Sequence, residues 1–385
     1  MRSSVNTVTI ARDDATGDTV PAALFDLAWE PPVPGRRRVL TNWNDYLAVA
    51  SQVVGRFHGQ YNLGHFDYHH PARLQPGTAR RLKRPYKVSV AYTDWGPPDA
   101  PLVICCGGVA SVAMRFNYLA SDLKDEFRLI CMDWVGRGRS GWLAAETDYS
   151  LATYAEQLRQ MIEHLGSGPA TVLGSSMGGS AAIEVAARHP RLIDRMILND
   201  VGPHIAARRR RRRADTLARH YVFRDPADML RRIGASQKND GPVSDDIRFN
   251  LTFHQTRWSD EEGGRVYRHD VRALQAYRRD AQKSLHQWEQ WARVRCPVLL
   301  IHGMQSDVLF APTIRRMSRG KDVTLMHLPD TGHAPLLADR NQISFMRDWL
   351  LGNGVAQREW TVLHGPARER HPGTPINFAP GHALR

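Results

Sequence analysis

Apolar and polar positions follow two different periods along this chain, and from residue 86 onward the two periods alternate. Short apolar runs rich in Val, Ile and Leu are typical of strands that are buried on both faces. They lie at 102–106, 127–132, 171–173, 195–198, 297–302 and 323–328. Between them, segments such as 151–165 carry apolar residues at helical spacing. Strands that alternate with helices of this length predict an α/β fold, with a mainly parallel central sheet and helices on both faces.

The alternation is absent from the rest of the chain. Residues 203–293 are charged, helix-like and interrupted by glycines, so we interpret them as an inserted helical cap. In the first 85 residues, 42–57 is a predicted amphipathic helix, whereas 59–85 has no clear period. The predicted organisation is a partly irregular N-terminal extension (1–85), an α/β core (86–202 and 294–351), a helical cap (203–293) and a flexible C-terminal tail (352–385).

The pentapeptide Gly-Ser-Ser-Met-Gly at 174–178 is the stretch most suggestive of chemistry. It joins the apolar run at 171–173 to a predicted helix that begins at Ser180 and ends before Pro190. A turn this sharp leaves no room for side chains at 174 and 178, which explains the two glycines. Ser176 would lie at its apex, with the positive end of the helix beneath its hydroxyl. A purely structural turn is the alternative, but the flanking strand and helix favour a nucleophile elbow.

These residues resemble the alpha/beta-hydrolase fold family, in which serine, acid and histidine follow one another on loops after strands. A second segment, Asp-Trp-Val-Gly-Arg-Gly-Arg-Ser-Gly at 133–141, resembles the D-x-x-G-x-G-x-S loop of that family. The resemblance covers the elements between 86 and 349 outside the cap. Serine rather than aspartate at the elbow disfavours haloalkane dehalogenases and epoxide hydrolases. The Ser-Met-Gly-Gly form is similar to carboxylesterases, enol-lactonases and C–C hydrolases.

A serine hydroxyl becomes a good nucleophile when a base removes its proton, and a histidine base needs a carboxylate to fix its tautomer. His333 is the predicted base, because it follows the last predicted strand on a loop between Gly332 and Pro335. The family usually carries its acid after the seventh strand, which implies Asp307. Asp200, one strand earlier, is the rival; alternatively it hydrogen-bonds the backbone of the Gly-Pro turn that follows it.

The negative oxygen that forms during acyl transfer needs two fixed backbone N–H donors. Met177, directly after the nucleophile, is one predicted donor. The resemblance implies that the other lies in 107–111, after the strand at 102–106. The family usually has His-Gly there, and matching the strand ends puts Gly107 in the place of that histidine. Val109 is then the expected donor, and Gly108 is the alternative.

The chain is basic, with a formal net charge of +13 over 385 residues. Its most unusual stretch is Arg208 to Arg213, six consecutive arginines within the predicted cap. Six neighbours on a helix point in every direction, so they cannot all face a pocket. We interpret most of them as a solvated face; the alternative is a docking patch for an anionic partner such as a membrane surface, a nucleic acid or a substrate granule.

Cysteine usage and apolar run length suggest the compartment. The four cysteines lie in apolar, strand-like runs, which predicts buried free thiols in a reducing cytoplasm. No run approaches the roughly 18–20 apolar residues that a membrane-spanning helix needs. No Cys-x-x-Cys pair suggests zinc, so we expect neither a metal nor a cofactor.

The sequence thus predicts a cytoplasmic serine hydrolase that cleaves a small carboxylic ester through an acyl-enzyme. Ser176 is the expected nucleophile, His333 the base and Asp307 the acid, with Met177 and Val109 holding the oxyanion. A C–C hydrolase or a lactonase would use the same three residues. A ligand-binding protein of the same fold with little turnover is the alternative of a different class.

Overall fold

Seven segments of the chain are described by the computed structural model: 38–71, 73–74, 81–217, 219–237, 240–352, 361–362 and 378–379. The first 37 residues lie outside them, as does most of the C-terminal tail predicted at 352–385.

Nine strands of the described chain form one central sheet. In chain order they are β1 (Tyr61–His70), β2 (Tyr86–Trp95), β3 (Leu102–Cys106), β4 (Arg128–Met132), β5 (Ala170–Ser175), β6 (Ile193–Asn199), β7 (Val298–Gly303), β8 (Val323–Leu328) and β9 (Thr361–Val362). Across the sheet the order is β9-β8-β7-β6-β5-β3-β4-β2-β1. The strands from β3 to β9 pair in parallel, whereas β2 is antiparallel to both β4 and β1. The predicted α/β fold is therefore confirmed.

The α-helices of the described chain pack on both faces of this sheet or with the segment 203–293. In chain order they are α1 (Trp43–Val53), α2 (Asn117–Leu123), α3 (Leu151–Leu165), α4 (Met177–Arg188), α5 (Ala207–Leu217), α6 (Pro226–Ser236), α7 (Asp245–Gln255), α8 (Val271–Asp280), α9 (Trp288–Arg293), α10 (Ala311–Ser318) and α11 (Arg340–Leu351). Successive strand residues point to opposite faces, so Ile104 packs in the cluster of α3 and α4 while Val103 packs in that of α2 and α11. No helix in the described residues combines the length and apolarity needed to cross a membrane.

The N-terminal extension contributes an edge strand that the sequence analysis missed. The helix predicted at 42–57 is confirmed over α1, which ends at Val53 before a short 3-10 helix at 55–57. The segment 59–85 is not merely irregular, because β1 pairs with β2 along ten residues. Only one face of this edge strand is buried, through Phe66, Tyr68 and His70. Polar residues separate these three, so the apolar signal of the strand is weak.

The segment 203–293 contains helices α5 to α9 but is not purely helical. Three of its short strands, Val222–Phe223, Gly264–Tyr267 and Thr256–Ser259, form a small antiparallel sheet. Helix α1 packs here rather than on the central sheet, since Tyr46 and Val53 share a buried cluster with Phe249 of α7. The N-terminal helix thus belongs with the segment interpreted as the cap, whose status as a separate domain stays a prediction.

Candidate active site

The turn between β5 and α4 holds Ser176 in a backbone conformation that few residues adopt. Its φ is +50° and its ψ −113°, and α4 begins directly after it, three residues earlier than predicted. A Cβ at Gly178 would lie 2.3 Å from the carbonyl oxygen of Cys106 at the end of β3, and one at Gly174 would lie 2.4 Å from Cα of Gly179. The glycines therefore permit the close packing of strand, turn and helix that exposes the serine, as the motif predicts.

A continuous chain of hydrogen bonds runs from Ser176 through His333 to Asp200. Oγ of Ser176 lies 3.0 Å from Nε2 of His333, and Nδ1 of the same ring lies 2.9 Å from Oδ2 of Asp200. A carboxylate only accepts, so Nδ1 carries the proton and Nε2 is free to accept the serine proton. The three residues come from loops after β5, β8 and β6, whose carboxyl ends meet at one edge of the sheet.

The acid beside His333 is Asp200, and the expected pairing with Asp307 is wrong. Asp307 lies four residues beyond β7 with a side chain 51% exposed, and it forms an ion pair with Arg209. Asp200 follows β6 directly, has a φ of +51° and is fully buried. The loop after β7 supplies donors instead of the carboxylate: Gly303 N donates to Oδ1 of Asp200 at 3.0 Å and Ser306 Oγ to Oδ2 at 2.5 Å.

The loop that carries His333 is held by two side chains that the sequence analysis did not single out. Nη2 of Arg115 donates to the carbonyl oxygens of Ala334 and Pro335, at 2.5 and 3.2 Å. Nδ2 of Asn199 donates to Pro335 O as well, at 2.9 Å. Asn199 adjoins Asp200, which could have drawn attention to it, whereas nothing in the sequence around Arg115 indicates this contact.

The segment 107–111 lies against the elbow, as expected for an oxyanion loop. A Cβ at Gly108 would lie 3.6 Å from Cβ of Ser176. Two carbonyl groups of the loop point away to buried donors: Trp134 Nε1 donates to Gly107 O and Arg137 Nε to Val109 O, both at 2.8 Å. The donors belong to 133–141, so the D-x-x-G-x-G-x-S segment supports this loop.

The N–H groups predicted to hold the oxyanion lie at the same place. Met177 is the first residue of α4, where a backbone N–H has no acceptor within its helix. Met177, Gly108 and Val109 all line one cavity together with Ser176 and His333. The assignment of Met177 and Val109 as donors stays a prediction, with Gly108 as the alternative to Val109.

The cavity above Ser176 and His333 has a volume of about 680 Å³ and a strongly basic lining. Its apolar wall combines aliphatic residues with aromatic ones such as Tyr221, Phe223 and Tyr277. Its charged lining consists of seven arginines and three aspartates: Arg115, Arg209, Arg210, Arg212, Arg213, Arg231, Arg232, Asp240, Asp280 and Asp307. The cavity therefore carries an excess of positive charge directly beside the reactive groups.

Four of the six consecutive arginines lie on this cavity, and the run is still mostly solvated, as interpreted, because Arg208, Arg211, Arg212 and Arg213 are exposed. Arg209, Arg210, Arg212 and Arg213 line it, whereas Arg208 and Arg211 do not. As expected, the six do not all face one way, because α5 turns successive side chains by about 100°. Nothing in the sequence around these arginines indicates that they share a cavity with Ser176.

Burial shifts the pKa of several groups on the cavity wall, among them Asp240 and His269. It raises the pKa of Asp240, and the charges of Arg115, Arg213 and His333 oppose that rise. It lowers the pKa of His269 to about 3, with the charge of Arg137 acting in the same direction. His269 is therefore neutral at physiological pH. No group of three or more His, Cys, Asp or Glu residues within the described segments is arranged to hold a metal ion.

Known proteins share both the sequence pattern and the fold. The family model of the alpha/beta hydrolase fold matches residues 100–339. A 3-hydroxybutyrate-oligomer hydrolase of Cupriavidus necator is 30% identical over 274 residues, which cover 68% of this chain and 93% of that protein.

Solved structures agree on the fold. An alpha/beta hydrolase from Novosphingobium aromaticivorans has a TM-score of 0.63 at 21% identity, covering 78% of this chain and 99% of that one. A thermophilic esterase from Thermogutta terrifontis has a TM-score of 0.53 at 20% identity, covering 74% and 98%. At these identities the two structures establish the architecture alone.

Proposed function

Since this chain belongs to the alpha/beta hydrolase family, we propose that it is a serine hydrolase that cleaves carboxylic esters through an acyl-enzyme. One observation carries the proposal: the hydrogen-bond chain from Ser176 through His333 to Asp200, at the wall of a substrate-sized cavity. This arrangement has what an activated serine requires, namely a base within reach of the hydroxyl and a carboxylate that fixes the base.

In the acylation step, Oγ of Ser176 attacks the ester carbonyl carbon while its proton passes to Nε2 of His333. The carbonyl oxygen becomes negatively charged, and the N–H groups of Met177 and Val109 are our proposed donors to it. The carbon–oxygen bond to the alcohol then breaks, and His333 returns the proton to the departing alkoxide. Asp200 keeps its negative charge throughout and stabilises the imidazolium that forms between the two transfers.

Deacylation repeats these proton transfers with water as the nucleophile. His333 removes a proton from water, the hydroxide attacks the acyl carbon, and the proton then returns to Oγ of Ser176 as the acid departs. The balance is one water consumed for one carboxylic acid and one alcohol released, and no oxidant or other reactant takes part.

We propose hydroxyacyl oligoesters as the substrate class. The support is the similarity to a 3-hydroxybutyrate-oligomer hydrolase along 93% of that protein. The cavity volume of about 680 Å³ also falls within the range of roughly 300–1,000 Å³ that is usual for small-molecule sites. Repeated ester bonds in such a chain would present the carbonyl group that the chemistry above requires.

A substrate panel tests this proposal. The panel contains short and long acyl esters, linear 3-hydroxybutyrate dimer and trimer, a lactone and a vinylogous diketone, each offered to the wild type and to Ser176→Ala. We expect turnover of the esters and oligomers by the wild type alone. Turnover of only the lactone or only the diketone would replace the ester assignment, and binding without turnover of any compound would make this a ligand-binding protein.

A further inference from the structure

Most arginines around the cavity are already engaged by other groups of the protein. On α5, Arg209 pairs with Asp307, and Nη1 of Arg210 donates to the carbonyl oxygens of Asp280 and Lys283 at 2.7 and 2.6 Å. Arg210 also lies over the ring of Tyr277, 5.8 Å from its centre. These two guanidinium groups tie α5 to the neighbouring loops, so they are not free to bind a ligand.

The arginines contributed by other elements are engaged in the same way. On α6, Arg231 and Arg232 both pair with Asp228. Arg115 holds the loop of His333 and lies 3.9 Å from Asp240. Five of the seven cavity arginines therefore have partners within the protein.

Arg212 and Arg213 differ from the rest. Among the described residues, neither guanidinium group has a hydrogen-bond or ion-pair partner, although both line the cavity. Each presents five N–H donors in a fixed fork. Both residues are also exposed to solvent, so they offer two unpaired forks where the cavity is accessible to an anion.

The charge of Arg213 extends across this cavity. It opposes the rise that burial causes in the pKa of Asp240 and of Tyr277, and it adds to the lowering of the pKa of Arg115 by burial. Asp240 in turn responds to the charge of His333. Arg213 and Asp240 therefore attract each other, although the guanidinium group of Arg213 has no ion pair within 4.0 Å among the described residues.

We propose that this enzyme acts on substrates that carry a carboxylate, and that Arg212 and Arg213 bind that carboxylate in the cavity. The proposal rests on the ester hydrolase function above and specifies its substrate. A linear hydroxyacyl oligomer ends in a free carboxylate, which is ionised at neutral pH. A guanidinium fork matches the two oxygens of a carboxylate and binds them through two parallel hydrogen bonds. The two arginines thereby select the acid end of an oligomer over a neutral ester.

The test compares two substrates that differ only in this charge: linear 3-hydroxybutyrate dimer as the free acid, and the same dimer with the terminal carboxylate converted to a carboxamide. The measured quantity is the ratio of kcat/KM for the acid to kcat/KM for the amide, obtained for the wild type, Arg213→Gln and the double variant Arg212→Gln/Arg213→Gln. We expect the wild type to prefer the acid, and the ratio to fall about tenfold or more in the double variant, mainly through KM.

Arg211→Gln is the matched control. Arg211 lies on the same helix and is exposed like Arg212 and Arg213, but it does not line the cavity, and its replacement removes the same unit of charge. We expect this variant to keep the wild-type ratio. Arg213→Lys should give an intermediate ratio, because it keeps the charge and loses the fork. Circular dichroism of each variant verifies that it is folded.

A binding measurement keeps the proposal testable without turnover. The 3-hydroxybutyrate anion should slow the labelling of Ser176 by a fluorophosphonate in the wild type and in Arg211→Gln, but much less in the double variant. Equal protection of all three proteins, or an equal fall of the substrate ratio in Arg211→Gln and Arg213→Gln, would overturn the carboxylate site. If the wild type cleaves acid and amide equally well, the ester hydrolase function stands and this proposal fails; if it cleaves no ester, the proposed function fails.

Discussion

Oδ2 of the fully buried Asp200 lies 2.9 Å from Nδ1 of His333, across the gap between the loops that follow β6 and β8. The backbone N–H of Gly303 and the hydroxyl of Ser306 also donate to this carboxylate. Three donors therefore fix its position. A carboxylate held in this way orients the imidazole and leaves Nε2 facing Ser176.

Replacement of Asp200 by Asn should lower kcat strongly, by about 10⁴ in the serine-protease template, because an amide can donate to Nδ1 and so favour the wrong tautomer of His333. Asp307→Asn should change kcat far less, since Asp307 pairs with Arg209. The measurement is ester turnover by both variants, with thermal melting as the control for folding. A strong loss in Asp307→Asn alone would return the acid to the loop after β7.

The choice between Asp200 and Asp307 also illustrates how far the sequence could predict the site. Ser176 and His333 stood out because a glycine-flanked turn and a loop after the last strand fix where they lie. Asp200 and Asp307 follow neighbouring parallel strands, so both are delivered to the same edge of the sheet. Only the tight bend at Asp200, with its φ of +51°, and the exposed position of Asp307 decide between them, and neither is visible in the sequence.

Long-range packing limited the rest of the prediction. The parallel strands β3 to β8 gave strong local signals, since each is mostly buried and apolar on both faces. The edge strand β1 is buried on one face only, and the cap helices have no local feature that says which of their faces meets the cavity. Arg115 donates to a carbonyl group 219 positions further along the chain, and the place of Arg213 on the cavity depends on how α5 packs, so both became apparent only in the folded molecule.

Arg115 should act as a positioning residue for His333. Arg115→Met removes both hydrogen bonds to the loop of the histidine, and a displacement of about 1 Å can cost up to about 100-fold in rate. We expect kcat on a neutral ester to fall together with the rate of fluorophosphonate labelling.

The matched control is Arg128→Met. Arg128 is partly buried and pairs with Asp94 at 2.7 Å. It is the first residue of β4, so it lies at the amino ends of the parallel strands, whereas the site lies at their carboxyl ends. This variant should lower the melting temperature and leave both rates near the wild-type values. Equal losses of rate in the two variants would mean that Arg115 contributes only to stability.

Gly178→Ala should disable the elbow. The added Cβ would lie 2.3 Å from the carbonyl oxygen of Cys106, a backbone atom that cannot move without shifting β3. We expect slower labelling of Ser176 and a lower melting temperature. Gly234→Ala is the control, because a Cβ added at this position of α6 would meet open space; there alanine should stabilise the protein by roughly 0.5–1 kcal/mol. Normal labelling of Gly178→Ala would contradict the tight turn.

Stability should decline on acidification below about pH 6.5, where free histidine begins to protonate. Burial lowers the pKa of His269 to about 3 and, as the largest cause, that of His327 to about 4. Between these values and 6.5 the unfolded chain binds more protons than the folded one, so the free energy of unfolding falls as the pH falls. His269→Gln removes one of the two groups, and its melting temperature should therefore drop less than that of the wild type between pH 7 and pH 5. An identical drop in both proteins would show that His269 is protonated in the folded state, in conflict with its burial beside Arg137.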